Sequence, residues 1–457
     1  MVRSQRKRIS GFTLIEAMVV LFVVSLITLT FYETWNLGTK HIANAKYRLG
    51  ATALANQQME IIRSLIFDDI GTVSGIPSGT LAQDQTLHVN NTVYDVHTVV
   101  QFVDDPTDGT LAAGTDLAPN DYKKVTITVS WGDASDSETV DTTSIFSLDG
   151  VESVAAGTGI LSVNVLNNAG VGVANASVHI TNTSVTPNIN VTAATDTNGN
   201  LMFPGAPASV QGYHITVSKG GYYGNMTYSP YPTSVFKPTN VHASVVAGSL
   251  TAATLVADRT STLKIQTEDP FGTSVPDIDF IITGGLVSGT DASTSAPVYD
   301  FTQSTVTDSS GEKEFSDRSS GDYALTLDSS AVAQYEFLRL DPEETVQNSI
   351  NLIAGDSKTV KYILARKNFQ SALIMVKSSS GGTPIAGASV RLHSTSLGFD
   401  VTLATDTYGQ AYFPTTATPL ASGTYDIDVS ASGFTSTTDT ISIVGSNIEK
   451  KTISLNP

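Results

Sequence analysis

An apolar run near the start of the chain constrains its architecture more than any other feature. The 20 residues from Phe12 to Phe31 contain one charged side chain, Glu16, and the first ten residues carry four basic side chains and no acidic one. As a helix rising about 1.5 Å per residue, the run would cross one bilayer core. The basic flank is expected to stay in the cytoplasm. A carboxylate inside an apolar helix requires a partner.

The residues around Gly11 resemble the processing site of type IV prepilins and type II secretion pseudopilins. In that family a basic leader ends in Gly, the mature chain begins with Phe, and its fifth residue is Glu; here these are Gly11, Phe12 and Glu16. The resemblance implies cleavage by a prepilin peptidase, N-methylation of Phe12, and pairing of Glu16 with the terminal amine of a neighbouring subunit. An uncleaved membrane anchor is the alternative. Glu33 replaces the proline of many major pilins, which favours a minor or specialised subunit.

Helical periodicity continues beyond the apolar run. Trp35, Ile42 and Leu49 recur every seven residues, and we expect this stripe to pack in a core. Glycine and proline become frequent from Gly71 onward and end the pattern. The sequence therefore predicts one long helix over residues 12–68.

A small antiparallel sheet is predicted over residues 86–150. Val125, Ile127, Val129 and Trp131 alternate with polar residues and share one face of a strand. The segment TLHVNNTVYDV predicts a hairpin with an Asn-Asn turn. A long helix followed by a short sheet is also what the pilin resemblance implies, over roughly the first 150 residues.

An aspartate-rich segment lies between two of these strands. Hard cations such as Ca²⁺ take several oxygen ligands at once, which makes Asp104, Asp105 and Asp108 a candidate calcium site. The spacing does not match an EF-hand loop, and Asp-Pro and Asp-Gly pairs commonly form turns. A solvated loop is the favoured interpretation, with calcium binding as the alternative.

A Thr-Asp-x-x-Gly-x-x-x-Phe motif occurs three times in the rest of the chain. It begins at Thr195, Thr307 and Thr405, with separations of 112 and 98 residues, the size of one β-sandwich. A strand–turn–strand pattern precedes each copy, and a strand with Gly and Tyr follows it. We interpret these units as three domains: repeat 1 (156–256), repeat 2 (257–366) and repeat 3 (369–457).

Within each motif, the aspartate is predicted to cap a tight turn and the glycine to supply a positive φ. The phenylalanine is expected in the core. The repeats resemble carboxypeptidase regulatory-like, or transthyretin-like, Ig-type modules, a group also classed with carbohydrate-binding-like folds; the middle repeat resembles them least. The turn residues are Asp196, Gly199, Asp308, Gly311, Asp406 and Gly409.

The predicted fold class is an α+β pilin module followed by three all-β Ig-like or transthyretin-like sandwiches. The pilin module consists of a leader (1–11), the long helix (12–68) and a sheet domain (69–152). The first segment would be removed on processing, and the second would span the membrane and later lie in a filament core.

Candidate chemistry is scarce. The chain has no cysteine, seven scattered histidines, and neither an HExxH nor a GxSxG motif, so we predict no enzyme activity and no cofactor. With 25 Lys and Arg against 43 Asp and Glu, its net charge of −18 opposes nucleic-acid binding. A tyrosine cluster suits a sugar or a protein partner, although a packed loop is favoured. Its members are Tyr222, Tyr223, Tyr228 and Tyr231.

The sequence favours a structural and interaction protein. We expect a minor type IV pilin or pseudopilin whose three-repeat stalk projects from a surface filament for adhesion or partner binding, with a glycan as one candidate ligand. The expected partners are other pilin subunits, prepilin peptidase, and the inner or cytoplasmic membrane before assembly at the cell surface. A type II secretion pseudopilin that engages export substrates and a pilin-anchored surface enzyme remain as alternatives.

Overall fold

The computed structural model describes five parts of the chain, residues 14–89, 92–103, 121–132, 138–147 and 156–457. Its first element is a 50-residue helix, α1 (Leu14–Arg63). The helix ends before the predicted residue 68 because its last turn tightens, as the backbone N–H groups of Ser64 and Leu65 bond to carbonyl groups three residues back. A 3₁₀ turn over Phe67–Asp69 follows.

A four-stranded antiparallel sheet follows the helix, as the sequence predicted. Its strands are β1 (Asp84–Val89), β2 (Thr92–Val103), β3 (Tyr122–Trp131) and β4 (Glu138–Ser147). Each strand pairs with the next one along the chain, so the sheet is a meander. The predicted hairpin is present, with Val89 opposite Thr92, and its Asn-Asn turn lies outside the described residues.

The C-terminal part of α1 packs on one face of this sheet. Val125, Ile127 and Val129 of β3 are completely buried, as their alternation with polar residues predicted. The Tyr94 hydroxyl of β2 donates a hydrogen bond to the Tyr47 carbonyl oxygen of the helix at 3.0 Å. The buried side chains that the helix contributes are Ala51, Leu54, Ala55, Met59 and Ile62.

Repeat 1 folds into two β-sheets. Its strands are β5 (Thr158–Leu166), β6 (Ser177–Asn182), β7 (Ile189–Ala194), β8 (Asn200–Pro207), β9 (Ser209–Ser218), β10 (Asn225–Met226), β11 (Lys237–Pro238), β12 (Ala243–Val245) and β13 (Leu250–Val256). One sheet has the order β13-β5-β8; the other has the order β10-β9-β6-β7, with β12 also paired to β9. Their buried side chains form one hydrophobic cluster, which Ile76 from the loop after α1 joins.

Repeat 2 has larger sheets. Its elements are β14 (Ser261–Glu268), β15 (Asp279–Thr290), β16 (Pro297–Val306), β17 (Glu312–Arg318), β18 (Gly321–Leu327), α2 (Ser329–Gln334), β19 (Tyr335–Asp341), β20 (Ser349–Leu352) and β21 (Ser357–Arg366). One sheet has the order β17-β14-β21-β19. The other has the order β11-β15-β18-β20, with β16 paired to β15, so it includes a strand from repeat 1.

Repeat 3 is the simplest sandwich. Its strands are β22 (Ser371–Ser378), β23 (Ser389–Ser394), β24 (Phe399–Ala404), β25 (Gln410–Phe413), β26 (Gly423–Ser430), β27 (Thr437–Ile443) and β28 (Ile448–Leu455). The two sheets have the orders β25-β22-β28 and β24-β23-β26-β27. Their inner faces share one hydrophobic cluster. The predicted fold class, a long N-terminal helix with an antiparallel sheet followed by three all-β sandwiches, is therefore confirmed.

Each repeat contains one buried tyrosine on the second strand after its Thr-Asp-x-x-Gly turn. Its hydroxyl donates a hydrogen bond to a backbone carbonyl oxygen four or six residues upstream, the tyrosine-corner arrangement of Ig-type sandwiches. The three bonds are Tyr213 to Pro207 at 2.6 Å, Tyr323 to Ser319 at 2.8 Å and Tyr425 to Ala421 at 3.0 Å.

Candidate assembly and binding surfaces

The first half of α1 has no covering partner in the described structure. From Leu14 to Leu37 the large apolar side chains are between 45% and 82% exposed. The helix contains one segment that is long and apolar enough to cross a membrane, judged by length and composition, and none of that segment is buried. Exposed apolar surface on this scale requires lipid or protein around it.

The prediction that Trp35, Ile42 and Leu49 pack in a core is wrong. These side chains are 65%, 73% and 73% exposed. At about 100° per residue, Ile42 lies on the opposite side of the helix from Ala51, and Leu49 lies nearly so. The sheet covers the Ala51 side, where Tyr47 is also half-buried. The seven-residue spacing identified a stripe but not the side of the helix that faces the sheet.

Several predicted site residues fall outside the described parts of the chain. Gly11 and Phe12 precede the first described residue, whereas Glu16 lies in the first described turn of α1. The predicted calcium ligands Asp104, Asp105 and Asp108 are also outside. In the described residues, no group of three or more His, Asp or Glu side chains is arranged to hold a metal ion.

The three repeat motifs form the same turn. In each, the aspartate carboxylate accepts hydrogen bonds from the backbone N–H groups two and four residues later, at 2.8–3.0 Å. The glycines have φ values between +74° and +79°, a backbone conformation that residues with a side chain rarely adopt. Phe315 and Phe413 are buried, and Phe203 is half-buried against the core of repeat 1. The residues concerned are Asp196, Gly199, Asp308, Gly311, Asp406 and Gly409.

The threonine of each motif has a role that sequence reasoning missed. The buried Thr195 hydroxyl donates to the Val173 carbonyl oxygen at 2.6 Å and accepts from the Ala176 N–H at 2.9 Å. Thr405 makes the same two bonds in repeat 3, and Thr307 accepts the corresponding N–H in repeat 2 at 2.9 Å. Its recurrence in all three copies was the available indication that this residue fixes the turn to the sandwich.

The surroundings of the three turns differ. Asp308 is solvent-exposed, and hydrogen bonds from the backbone N–H groups of Glu312 and Ser310 hold the pKa of its carboxyl below the usual value. Burial raises the pKa of Asp406, and the nearby negative charge of Glu343 acts in the same direction. The same motif therefore lies in two different electrostatic environments, which are set by the residues around each turn.

The four candidate tyrosines do not form one exposed platform. Tyr231 is half exposed, whereas Tyr222 packs against the core of repeat 1 with Lys219 Nζ 4.7 Å from its ring centroid. The Tyr228 ring contacts the Phe236 ring edge-on, with 5.4 Å between centroids. These contacts favour the packed-loop interpretation over a sugar-stacking surface.

The tyrosine-rich segment instead reaches the second repeat. The Tyr223 N–H donates to the Asp258 carbonyl oxygen at 2.7 Å, and β11 pairs antiparallel with β15. The side chain of Tyr223 faces Asp300, and burial together with this charge raises the tyrosine pKa to about 12. The buried Asp258 carboxylate accepts bonds from the Asn168 N–H and the Ser320 hydroxyl, both at 3.0 Å. These contacts form the first junction, between repeats 1 and 2.

The second junction, between repeats 2 and 3, is built mainly from side chains. The Phe271 and Phe369 rings pack at an interplanar angle of 59°, with 5.5 Å between centroids, beside a small apolar cluster. The Thr407 N–H of the repeat 3 turn donates to Glu343 Oε2 at 3.2 Å. The Tyr408 hydroxyl of the same turn donates to the Glu344 carbonyl oxygen. The buried members of the apolar cluster are Leu338, Ile363, Ala365 and Leu373.

A cleft at each of two domain boundaries offers space for a ligand. One, of about 450 Å³, lies between the four-stranded sheet and repeat 1 and is lined by Gln101, Asn164 and Asn200 among others. The other, of about 400 Å³ at the second junction, is lined by Arg339 and Asp406 among others. Amide, guanidinium and carboxylate groups supply the donors and acceptors that a neutral polar ligand such as a sugar would need.

Two histidines that are far apart in the sequence lie side by side in the structure, although the seven histidines are scattered along the chain. Pairing of β12 with β9 brings His214 and His242 together, with 4.9 Å between ring centroids. His242 Nδ1 lies 2.9 Å from the Thr227 hydroxyl. Burial, and secondarily the neighbouring imidazole, lowers the pKa of His242. His214 lies in β9 and His242 lies immediately before β12. Because these strands are distant in sequence, the contact between the two imidazoles could be found only from the strand pairing.

The N-terminal segment matches a known protein-family model. Residues 6–32 match the prokaryotic N-terminal methylation motif. The start of the chain therefore carries a prokaryotic N-terminal methylation motif, in agreement with the resemblance drawn from this segment, and the matched range contains Gly11, Phe12 and Glu16. The motif and the apolar helix fit a precursor anchored in the membrane.

The remaining comparisons are distant. No curated protein sequence matches the chain. Similar solved structures include the Bacillus anthracis TIE protein, at 13% identity and a TM-score of 0.19, covering 82% of this chain and 73% of that one. A streptococcal ancillary pilin has 12% identity and a TM-score of 0.18, and the match covers 65% of this chain and 98% of that one. BcpA, the major pilin subunit of Bacillus cereus, has 13% identity and a TM-score of 0.16, and the match covers 65% of this chain and 99% of that one.

Proposed function

We propose that the chain is a minor type IV pilin or pseudopilin that enters a surface filament through α1 and displays repeats 1–3 as a stalk. The division of α1 into two halves carries the proposal. Its first half exposes apolar side chains from Leu14 to Leu37, while its second half is buried on the sheet through residues such as Leu54 and Met59. A helix of this kind suits first a bilayer and then the close packing of neighbouring subunits.

Assembly by this route makes Glu16 important for incorporation rather than for folding. Cleavage between Gly11 and Phe12 would create the terminal amine with which the carboxylate of a neighbouring subunit pairs. Glu16→Gln should leave the unfolding of the globular domains unchanged and lower the amount of the protein in sheared filaments. Glu33→Gln, a second glutamate on the same helix, is the matched control. Equal incorporation of the Glu16→Gln variant, or a mass spectrum that retains Met1 in a host with prepilin peptidase, would contradict the proposal.

The stalk is proposed to bind a partner and to have no catalytic activity. The two clefts and their hydrogen-bonding groups support a neutral polar ligand, and a glycan is the first candidate. A chain truncated after residue 152 should still be processed but should lose attachment. Soluble residues 153–457, which contain the whole lining of the cleft at the second junction, should compete with whole cells for the same surface. Normal attachment by the truncated chain, together with no binding of the fragment to a glycan array or to cells, would leave an assembly role alone.

A further inference from the structure

In every repeat the first and last strands are parallel hydrogen-bonded neighbours. The matched segments in repeat 1 are Ile160–Leu166 and Leu250–Val256, with seven residue pairs. Repeat 2 pairs Thr262–Glu268 with Ser357–Ile363, again over seven residues, and repeat 3 pairs β22 with β28 over eight. The strand through which the chain enters each sandwich is thus tied directly to the strand through which it leaves.

Short links join these pairs in series. Only residues 257–260 separate β13 from β14, and only residues 367–370 separate β21 from β22. Both links are held at their ends: the Ala257 N–H donates to the Leu166 carbonyl oxygen at 2.8 Å, and the Ser371 N–H donates to the Asn447 carbonyl oxygen at 3.1 Å. Tension along the stalk would therefore pass from one parallel pair to the next with little slack.

The direction of the strands decides how such tension acts. In a parallel pair, the beginning of the first strand and the end of the last strand lie at opposite ends of the ladder. Pulling on these two points makes the strands slide past each other, which loads all the hydrogen bonds together. Pulling at the same end of the ladder would instead break them one after another. The shear geometry therefore resists a much larger force for the same number of bonds.

The surroundings of each pair protect it further. The first strand is central in its sheet, since β8, β17 and β25 pair with the other edges of β5, β14 and β22. Val163, Ile265 and Ile374, in the middle of the three first strands, are completely buried. Water has little access to compete for the ladder bonds at these positions, and hydrogen bonds in a low-dielectric interior are stronger.

We propose that the stalk is a load-bearing element in which the three parallel strand pairs act as mechanical clamps in series. Each sandwich would stay folded while the chain is pulled between its N-terminal anchor and a point of attachment on the distal repeat. This function follows from strand direction and does not depend on which ligand the stalk binds.

Force spectroscopy on the full-length chain in detergent micelles tests the clamp in repeat 3. The chain has no cysteine, so introduced thiols are unique attachment points for DNA handles. Asn368→Cys combined with Pro457→Cys pulls β22 and β28 in shear. Asn368→Cys combined with Ser446→Cys pulls the same two strands from one end. All three positions are exposed, so both variants should melt at the temperature of the unmodified chain.

We expect the unfolding force in the shear geometry to exceed that in the peeling geometry at least about twofold, because the hydrogen bonds along eight paired residues are loaded together rather than one after another. Equal forces for the two attachment geometries at matched loading rates would overturn the proposal. If the shear geometry resists the larger force but the stalk binds no ligand, the clamp stands and only the adhesive function is removed. Failure of the clamp and failure of the proposed function are therefore distinguishable.

Discussion

The two junctions between the repeats use different parts of the same kind of module. At the first junction, a long connection of repeat 1 reaches across: β11 pairs with β15, and the Tyr223 N–H bonds to the Asp258 carbonyl oxygen. At the second, repeat 3 presses its turn and its first strand onto repeat 2 through Thr407 and Leu373. A repeated motif therefore specifies the core of each sandwich but not its attachment, because the attaching residues lie outside the shared positions.

The Thr-Asp-x-x-Gly turns of repeats 2 and 3 also share their internal structure but differ in what surrounds them. In repeat 2 the Asp308 turn lies in solvent, whereas in repeat 3 the Asp406 turn is docked against Glu343 of the preceding repeat. The backbone bonds inside the two turns are alike, yet the pKa of Asp308 is lowered and that of Asp406 is raised. Changes in these two turns should therefore have different consequences for the stalk.

The largest difference is expected from the turn glycines. A Cβ at Gly409, at a φ of +74°, would overlap the Val376 carbonyl oxygen, while one at Gly311, at a φ of +76°, would lie 2.9 Å from the nearest backbone oxygen. Gly409→Val should cost roughly 3–5 kcal/mol in the unfolding of repeat 3, from strain and overlap together. Gly311→Val should cost repeat 2 less. Denaturant unfolding of both variants measures the two costs, and the reverse order would show that the overlap is relieved.

Truncation of an apolar contact at the second junction should have the next largest effect. Leu373 is buried in the cluster that joins repeats 2 and 3. Leu373→Ala should destabilise repeat 3 by about 2–4 kcal/mol and loosen its docking. Val444→Ala, at an exposed position of the same repeat, is the control and should change little. Thermal unfolding gives the stability, and small-angle scattering gives the spread of the stalk. An unchanged melting temperature for Leu373→Ala would mean that the cluster does not hold the junction.

Local pattern made much of the fold predictable. The apolar run, the alternation around Ile127 and the three turn motifs each depend on residues close in sequence, and the corresponding helix, sheet and sandwiches are present. The failures concern contacts between distant segments. The side of α1 that faces the sheet depends on where the sheet lies, so the stripe around Ile42 was misassigned. The meeting of His214 with His242 depends on strand pairing that no local pattern encodes.

The stability of the stalk should depend on pH differently through the two turn aspartates, and this effect is smaller than those above. A raised pKa in the folded state means that Asp406 binds its proton more readily than in the unfolded chain, so it favours folding below about pH 3.8 and opposes it as pH rises through the raised value. Asp308 has a lowered pKa and stabilises above about pH 3.8, an effect that is lost on further acidification. Asn keeps the acceptor oxygen of each turn.

Melting temperatures across this pH range should therefore respond in opposite senses. Asp406→Asn should be slightly stabilising near pH 7 relative to the unmodified chain, since it removes a half-buried charge beside Glu343. Asp308→Asn should be slightly destabilising near pH 7 and should approach the unmodified chain in acid. Changes of the same sign near pH 7 in both variants would show that the docked and the free turn share one environment.

The smallest effect is expected from an ion pair at the rim of the second junction. Lys450 Nζ of repeat 3 lies 2.6 Å from Glu336 Oε1 of repeat 2, and both side chains remain in contact with solvent. Solvent screening and the cost of ordering two long side chains limit such a pair, so Lys450→Met should weaken docking by only about 0.5 kcal/mol, and added salt should remove the difference. The neighbouring Lys451 pairs with Asp439 inside repeat 3 at 2.9 Å, which makes Lys451→Met the matched control. Scattering profiles at low and high salt should show a more open stalk for Lys450→Met alone, and only at low salt. An equal opening in the Lys451→Met variant would mean that net charge, and not the pair across the junction, controls the angle between repeats 2 and 3.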